Sequence, residues 1–187
     1  NCIVTPPNKV TQANDTRVKT DKHDAIRLAK MLEMGDYVAC HVPDKERMMD
    51  REVSRTYEQT TQDIVRVKNQ IRGKLRLYGL EVGQPHGRWY DKDYLALRDI
   101  AFPPQLQICF DMLLNKLELL LSNRAMLKAK LKKISEKDRY QRSIEIKMSI
   151  PGIGLLTATR LTLEWGDMSR FKNGKKLSSY AGLVPCE

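Results

Sequence analysis

The chain has 187 residues, 41% of them hydrophobic, enough to bury at least one ordinary core and to form one to three small structural units. Its 33 Lys and Arg against 23 Asp and Glu give a formal net charge of +10. A polyanion is therefore the expected partner, because basic side chains that neutralise phosphates release condensed counterions. No apolar stretch approaches the roughly 18 residues that cross a bilayer and no signal-peptide pattern is visible, so the expectation is a cytoplasmic chain with no membrane partner.

Residues 1–7 read as a short strand stopped by Pro6 and Pro7, with a polar loop through Asn14 and Asp15 after it. A helix is expected next: Thr20 is a good N-cap, Ile26, Leu28, Ala29, Met31 and Leu32 form an apolar side, and Gly35 ends it. Residues 37–43 are too short a run to classify. Beyond Pro43 a long amphipathic helix is expected, with Met49, Val53, Tyr57, Ile64, Val67, Ile71, Leu75 and Tyr78 spaced mainly three or four apart. Gly79, Gly83, Pro85 and Gly87 end that run, a short helical piece is expected from Trp89 to Ile100, and Pro103 and Pro104 break the chain again.

The cleanest period follows. Leu106, Phe110, Leu113, Leu117, Leu120, Arg124, Leu127, Leu131 and Ile134 alternate steps of four and three, which is a heptad seam interrupted only by Arg124. Two long helices joined through a glycine-containing region predict an antiparallel hairpin, a dimer-forming coiled coil, or both. From Ile144 onward Pro151, Gly152, Gly154, Gly166, Gly174 and Gly182 punctuate short apolar pieces, so a separate small, mostly helical unit is expected.

Three groups of residues could carry chemistry. Asp21 and Asp24, three apart at a helix start, project from one face and could share a divalent cation such as Mg²⁺; alternatively they complement the positive end of the helix dipole. Gly152, Ile153 and Gly154 lie in an Ile-Pro-Gly-Ile-Gly turn that is similar to a helix-hairpin-helix motif, in which glycines admit a phosphate and the next helix offers it amides; an ordinary helix-helix turn would also use these glycines. Basic residues come in acid-free runs: Arg66, Lys68, Arg72, Lys74 and Arg76, then Arg124, Lys128, Lys130, Lys132 and Lys133, both on long helices and both suited to tracking phosphates. Lys172, Lys175 and Lys176 add a basic loop in which Phe171 either meets a base or anchors the core. Cys2, Cys40, Cys109 and Cys186 lie too far apart for a zinc pair and read as reduced thiols.

Lys19, Thr20, Asp21, Lys22, His23, Asp24 and Ala25, followed by Leu28 and Ala29, form one block. Ile150 to Gly154, Arg170, Phe171, Leu177 and the Tyr180-Ala-Gly-Leu-Val-Pro185 run form another. Together, and in this order, they resemble the transposases of the insertion-sequence 110/116/902 family. The resemblance implies a mainly α chain: residues 1–43 as the last part of a RuvC-like domain of RNase H fold, 44–148 as coiled-coil helices that assemble subunits, and 149–187 as the start of a C-terminal transposase domain. It implies that Asp21 and Asp24 are the last two of four acids binding Mg²⁺, that Lys19 and Lys22 lie beside nucleic acid, and that DNA and a structured guide RNA are partners. The first Asp and the Glu would lie before Asn1 and a nucleophilic serine after Pro185, so Ser178 and Ser179 are not that nucleophile. A non-catalytic helix-hairpin-helix DNA-binding module and a purely structural coiled coil are the competing readings.

Overall fold

The computed structural model describes residues 2–10, 20–80 and 89–184, which are mainly helical and include no strand. The chain divides into two compact units, Asn1–Asp44 and Lys45–Glu187.

In the first unit the strand expected at residues 1–7 is absent. Its described part is extended and leads into a 3-10 turn at Pro7–Lys9, where proline fixes φ and supplies no N–H to a ladder. The Cys40 amide donates to the Val4 carbonyl at 2.7 Å and the Thr5 hydroxyl to the Val38 carbonyl at 2.9 Å, so two extended segments lie side by side without forming a strand pair. The loop through Asn14 and Asp15 falls outside the described residues. Helix α1 (Asp21–Met34) begins and ends where local chemistry dictates: Thr20 accepts from the His23 amide at 3.4 Å, and Gly35 closes the helix with φ 67°. Of its expected apolar side only Met31 is buried, while Ile26, Leu28 and Leu32 remain exposed.

The second unit is organised by two long helices, α2 (Lys45–Leu77) and α4 (Pro104–Ser135). Between them come the short α3 (Asp91–Leu95) and a 3-10 turn at Ala96–Asp99. Pro104 opens α4 in its first turn, where a missing N–H costs nothing, so the proline pair breaks the chain and starts a helix at once. One core joins Ile64, Val67, Ile71 and Leu75 of α2 to Phe110, Leu114 and Leu117 of α4, and Tyr94, Leu97 and Phe102 cover it. The later half of α2 thus meets the earlier half of α4, an antiparallel hairpin. Every seam position of α4 is buried or half-buried, and Arg124 is satisfied by an ion pair with Asp91 at 2.9 Å. At its ends α2 departs from the expected stripe: Met49 and Tyr78 are exposed, and Asp50 and Ser54 face inward instead.

Helices α5 (Asp138–Met148) and α6 (Leu155–Trp165) form a second hairpin, followed by a 3-10 turn at Met168–Arg170 and α7 (Gly174–Tyr180). A second core unites Leu131 and Ile134 of α4 with Tyr140, Ile144, Ala158 and Leu163, with Val53 and Tyr57 of α2 packed against it. Burying such side chains stabilises by about 1.5–3 kcal/mol each, which seats the α5–α6 hairpin on the long-helix pair. No described helix is long and apolar enough to cross a membrane.

Candidate nucleic-acid interface

The turn between α5 and α6 is built by glycine geometry. Gly152 adopts φ 89°, a left-handed conformation closed to most side chains, and the Ile153 amide bonds back to the Ile150 carbonyl at 3.1 Å. Gly154 caps α6 with φ −85° and ψ 171°, and no side chain caps this end. The first backbone bond of α6 runs from the Ala158 amide to the Gly154 carbonyl at 2.9 Å, so the amides of Leu155, Leu156 and Thr157 precede the ladder at the positive end of the helix dipole.

Helix α4 passes beside this end. Ala125, Lys128, Ala129 and Lys132 line, together with Gly154, Leu155, Leu156 and Thr157, an open groove of about 600 Å³. Lys128 and Lys132, one turn apart and exposed, line the groove that the first turn of α6 closes from the other side. An anion seated there would meet backbone amides and lysines together. A Cβ built on Gly154 would meet no atom within 4 Å, so the groove stays open to a partner's backbone at that point. Ile153 is half-buried and packs into the second core, fixing the turn.

The other basic residues divide by use. Lys68 forms an ion pair with Asp91, and Arg124 reaches the other oxygen of the same carboxylate at 2.9 Å. These two cations hold Asp91 below the usual carboxylate range, Lys68 contributing most. Arg72 stands over the rings of Trp89 and Tyr94 at 5.4 and 5.7 Å. Arg66 pairs with Asp63 at 2.7 Å on the exposed side of α2, and Arg76 is exposed near its end with Lys74 half-buried beside it. The acid-free run of α2 thus acquires acid from α3 in three dimensions, and Lys68 and Arg72 bind α3 to the hairpin.

In the last segment Arg170 is stacked on Phe171 and Tyr180, 4.2 and 4.5 Å from the ring centres. The two rings are themselves 5.3 Å apart, so Phe171 anchors the loop. Lys172, Lys175 and Lys176 are exposed, and the last two line an open pocket with Asn173, Gly174, Ser178 and Ser179.

Asp21 and Asp24 occupy the first turn of α1, with Lys22 exposed between them; Lys19 falls outside the described residues. Asp24 pairs with Arg27 at 3.3 Å. Among the described residues no group of three or more His, Cys, Asp or Glu comes together as a metal site. The donor type suits a hard cation, but two carboxylates are a partial set that would hold Mg²⁺ weakly without further oxygen ligands.

Sequence reasoning missed a polar network that docks the C-terminal hairpin. Buried Asp50 accepts from Lys137 Nζ at 2.7 and 3.0 Å and from the Tyr140 hydroxyl at 3.0 Å. Burial and that hydrogen bond push the Tyr140 phenol up to about 12. Glu164 of α6 takes Arg51 at 2.6 Å and Arg55 at 2.8 Å, and Arg55 above all holds its carboxyl below the usual range. Lys147 is buried, its Nζ donating to Ser143 Oγ at 2.6 Å and lying 5.9 Å from the Trp165 ring centre, and burial lowers its pKa. The partners of Asp50 and Glu164 lie 87 to 113 residues away in the chain, so no local pattern announces them.

Comparison with known proteins matches both ends of the chain. A model described as Transposase IS116/IS110/IS902 family matches residues 145–187, and a DEDD transposase model of the IS110 type matches residues 1–79. The transposase for insertion sequence element IS1533 of Leptospira borgpetersenii is 24% identical over 97% of this chain and 53% of its own length. The transposase for IS1111A of Coxiella burnetii is 27% identical over 89% of the chain and 46% of its own length. The transposase-named y4qE of Sinorhizobium fredii is 28% identical over the whole chain and 44% of its own length. The chain thus spans about half the length of the curated relatives it matches. No solved structure matches.

Proposed function

We propose that this chain, which transposase models of the IS116/IS110/IS902 family and of the IS110 DEDD type match at its two ends, serves DNA transposition by gripping the sugar-phosphate backbone in the groove between α4 and the start of α6. The observation that carries this reading is the meeting of Lys128 and Lys132 with the uncapped first turn of α6 across one open groove. Such a site recognises phosphate and not sequence, which fits a protein that leaves sequence choice to other elements. In the complete protein a structured guide RNA is the proposed source of that choice.

Within the same reading, Gly152 and Gly154 make the helix-hairpin-helix turn. Arg66, Lys74 and Arg76 on α2 and Lys172, Lys175 and Lys176 near α7 extend the basic surface of the second unit, and Lys19 and Lys22, which flank Asp21 in sequence, are proposed as further nucleic-acid contacts. Asp21 and Asp24 contribute part of a Mg²⁺ site of RuvC type, the remaining oxygen ligands coming from other parts of the protein. Such a cation supplies Lewis-acid assistance to phosphodiester cleavage when bound. The partial donor set also favours a second reading, that this part of the chain acts only as a DNA-binding module.

The groove is tested by replacing Lys128 and Lys132 with Met and measuring duplex DNA binding by fluorescence anisotropy across a salt series. Each lost phosphate contact should flatten the plot of log affinity against log salt by about 0.9. The pair should therefore lower affinity for all sequences alike and flatten the slope by up to about 1.8. An unchanged affinity and slope would remove the groove from the interface.

A further inference from the structure

The two flanks of the α4 seam carry different chemistry. Lys128 and Lys132 lie on the flank that meets α6, whereas Asn123, Met126, Leu127 and Lys130, spaced three, one and three apart, form a strip along the other flank. There they line, with Thr56 and Thr60 of α2, a separate cavity of about 400 Å³, within the size range of small-ligand sites.

The walls of this cavity are apolar and its polar groups are left over. Met126 is 63% exposed and Leu127 half-buried, and the Thr60 hydroxyl is turned onto its own helix, donating to the Thr56 carbonyl at 2.7 Å. Among the described residues no hydrogen bond or ion pair engages the half-buried Asn123 amide, the Thr56 hydroxyl or the exposed Lys130 ammonium. Polar groups that helices bury between them are ordinarily paired, so this amide and this cation are left for a third party. Asp63, less than one turn beyond Thr60, brings no free acid: it accepts from Gln59 at 3.1 Å and from Arg66 at 2.7 Å.

Amide, apolar wall and cation together describe one kind of ligand. A planar ring packs against methionine and leucine, an amide reads a ring edge that carries both a donor and an acceptor, and a lysine takes an attached phosphate. Adenine presents such an edge to Asn, its N7 accepting and its N6 donating. In a duplex that base is stacked between neighbours and its face is closed, so the ligand is an unpaired nucleotide of a single strand. The geometry points to a pocket between α2 and α4 that takes one unstacked adenine of a single-stranded nucleic acid, its edge on Asn123, its face on Met126 and Leu127 and its phosphate on Lys130. The groove beside α6 grips backbone without regard to sequence; this pocket reads one base and does not depend on that groove.

The test measures binding of the whole chain, by fluorescence anisotropy, to short labelled oligo-dT strands that carry adenine, guanine, cytosine or thymine at the centre. The adenine strand should bind about fivefold or more tightly than the others, the lower end of what a bidentate amide contact discriminates. Asn123→Leu, close in size, should remove that preference with helicity unchanged by circular dichroism. Lys130→Met should weaken all strands alike and flatten the salt slope by about 0.7. Lys128→Met with Lys132→Met should leave the adenine preference in place, whatever it does to overall affinity, so failure of the groove and failure of the pocket are read separately. AMP should displace the adenine strand far less well than the unlabelled strand does. Absence of binding, equal affinity for all the strands, a preference for another base, a preference that survives Asn123→Leu, or AMP competing as well as the strand would each overturn the inference.

Discussion

Two glycines separated by Ile153 do different work in the α5–α6 turn. Gly152 sits at φ 89°, where an L side chain is strained, so its glycine is demanded by the backbone of this chain. Gly154 has an ordinary extended conformation and open space around its absent side chain, so neither backbone nor packing demands glycine there. A partner approaching the groove would. Gly152→Ala is therefore expected to destabilise by about 1–2 kcal/mol, the cost of a left-handed non-glycine residue. Gly154→Asn, which supplies a good N-cap, should hold the melting temperature or raise it slightly while reducing DNA affinity. Thermal denaturation and anisotropy on the same two proteins separate these outcomes; full DNA binding by Gly154→Asn would mean that nothing comes close to that backbone.

At the scale of elements, what could be read beforehand was whatever is encoded locally. The ends of α1 follow from Thr20 and Gly35 alone, and the seam of α4 follows from its period. The inward face of α2 was legible from Val53 to Leu75 but not at its start, where Met49 stays exposed and Asp50 turns in to meet Lys137 and Tyr140. The interruption at Arg124 was visible as an interruption, but its partner Asp91 lies on another helix. Lys128, Lys132 and the glycine turn were each legible singly, and only the packing of α6 beside α4 brings them to one groove. The docking of α5 on α2 can be tested through Tyr140, whose fully buried hydroxyl donates to Asp50. Tyr140→Phe removes a hydrogen bond to a charged acceptor and should cost about 1.5 kcal/mol in urea denaturation, the lower end for such bonds because Lys137 still pairs with Asp50. An unchanged midpoint would mean that the ring alone, and not the hydroxyl, holds the helix.

At the scale of the whole molecule the net charge of +10 is not spread evenly over its uses. Lys68, Arg72 and Arg124 hold α3, and Arg51, Arg55 and Lys137 hold the C-terminal helices. Lys128, Lys132, Lys175 and Lys176 lie open, and they are the ones proposed to meet phosphate. In the proposed function binding and chemistry fall to different residues, since the acids proposed for the metal, Asp21 and Asp24, stand on α1 in the other unit. Replacing both with Asn in the full-length protein keeps the size of the side chains and removes two negative charges. If they are metal ligands, recombination should be lost and Mg²⁺ should no longer protect the protein against thermal unfolding, while affinity for DNA stays the same or rises slightly as repulsion of phosphate is relieved. If they only complement the dipole of α1, recombination should persist and the melting temperature should fall by the small amount that exposed dipole contacts contribute, about 0.3–1 kcal/mol each. Measuring recombination and melting on the same variant distinguishes a ligand from a helix cap.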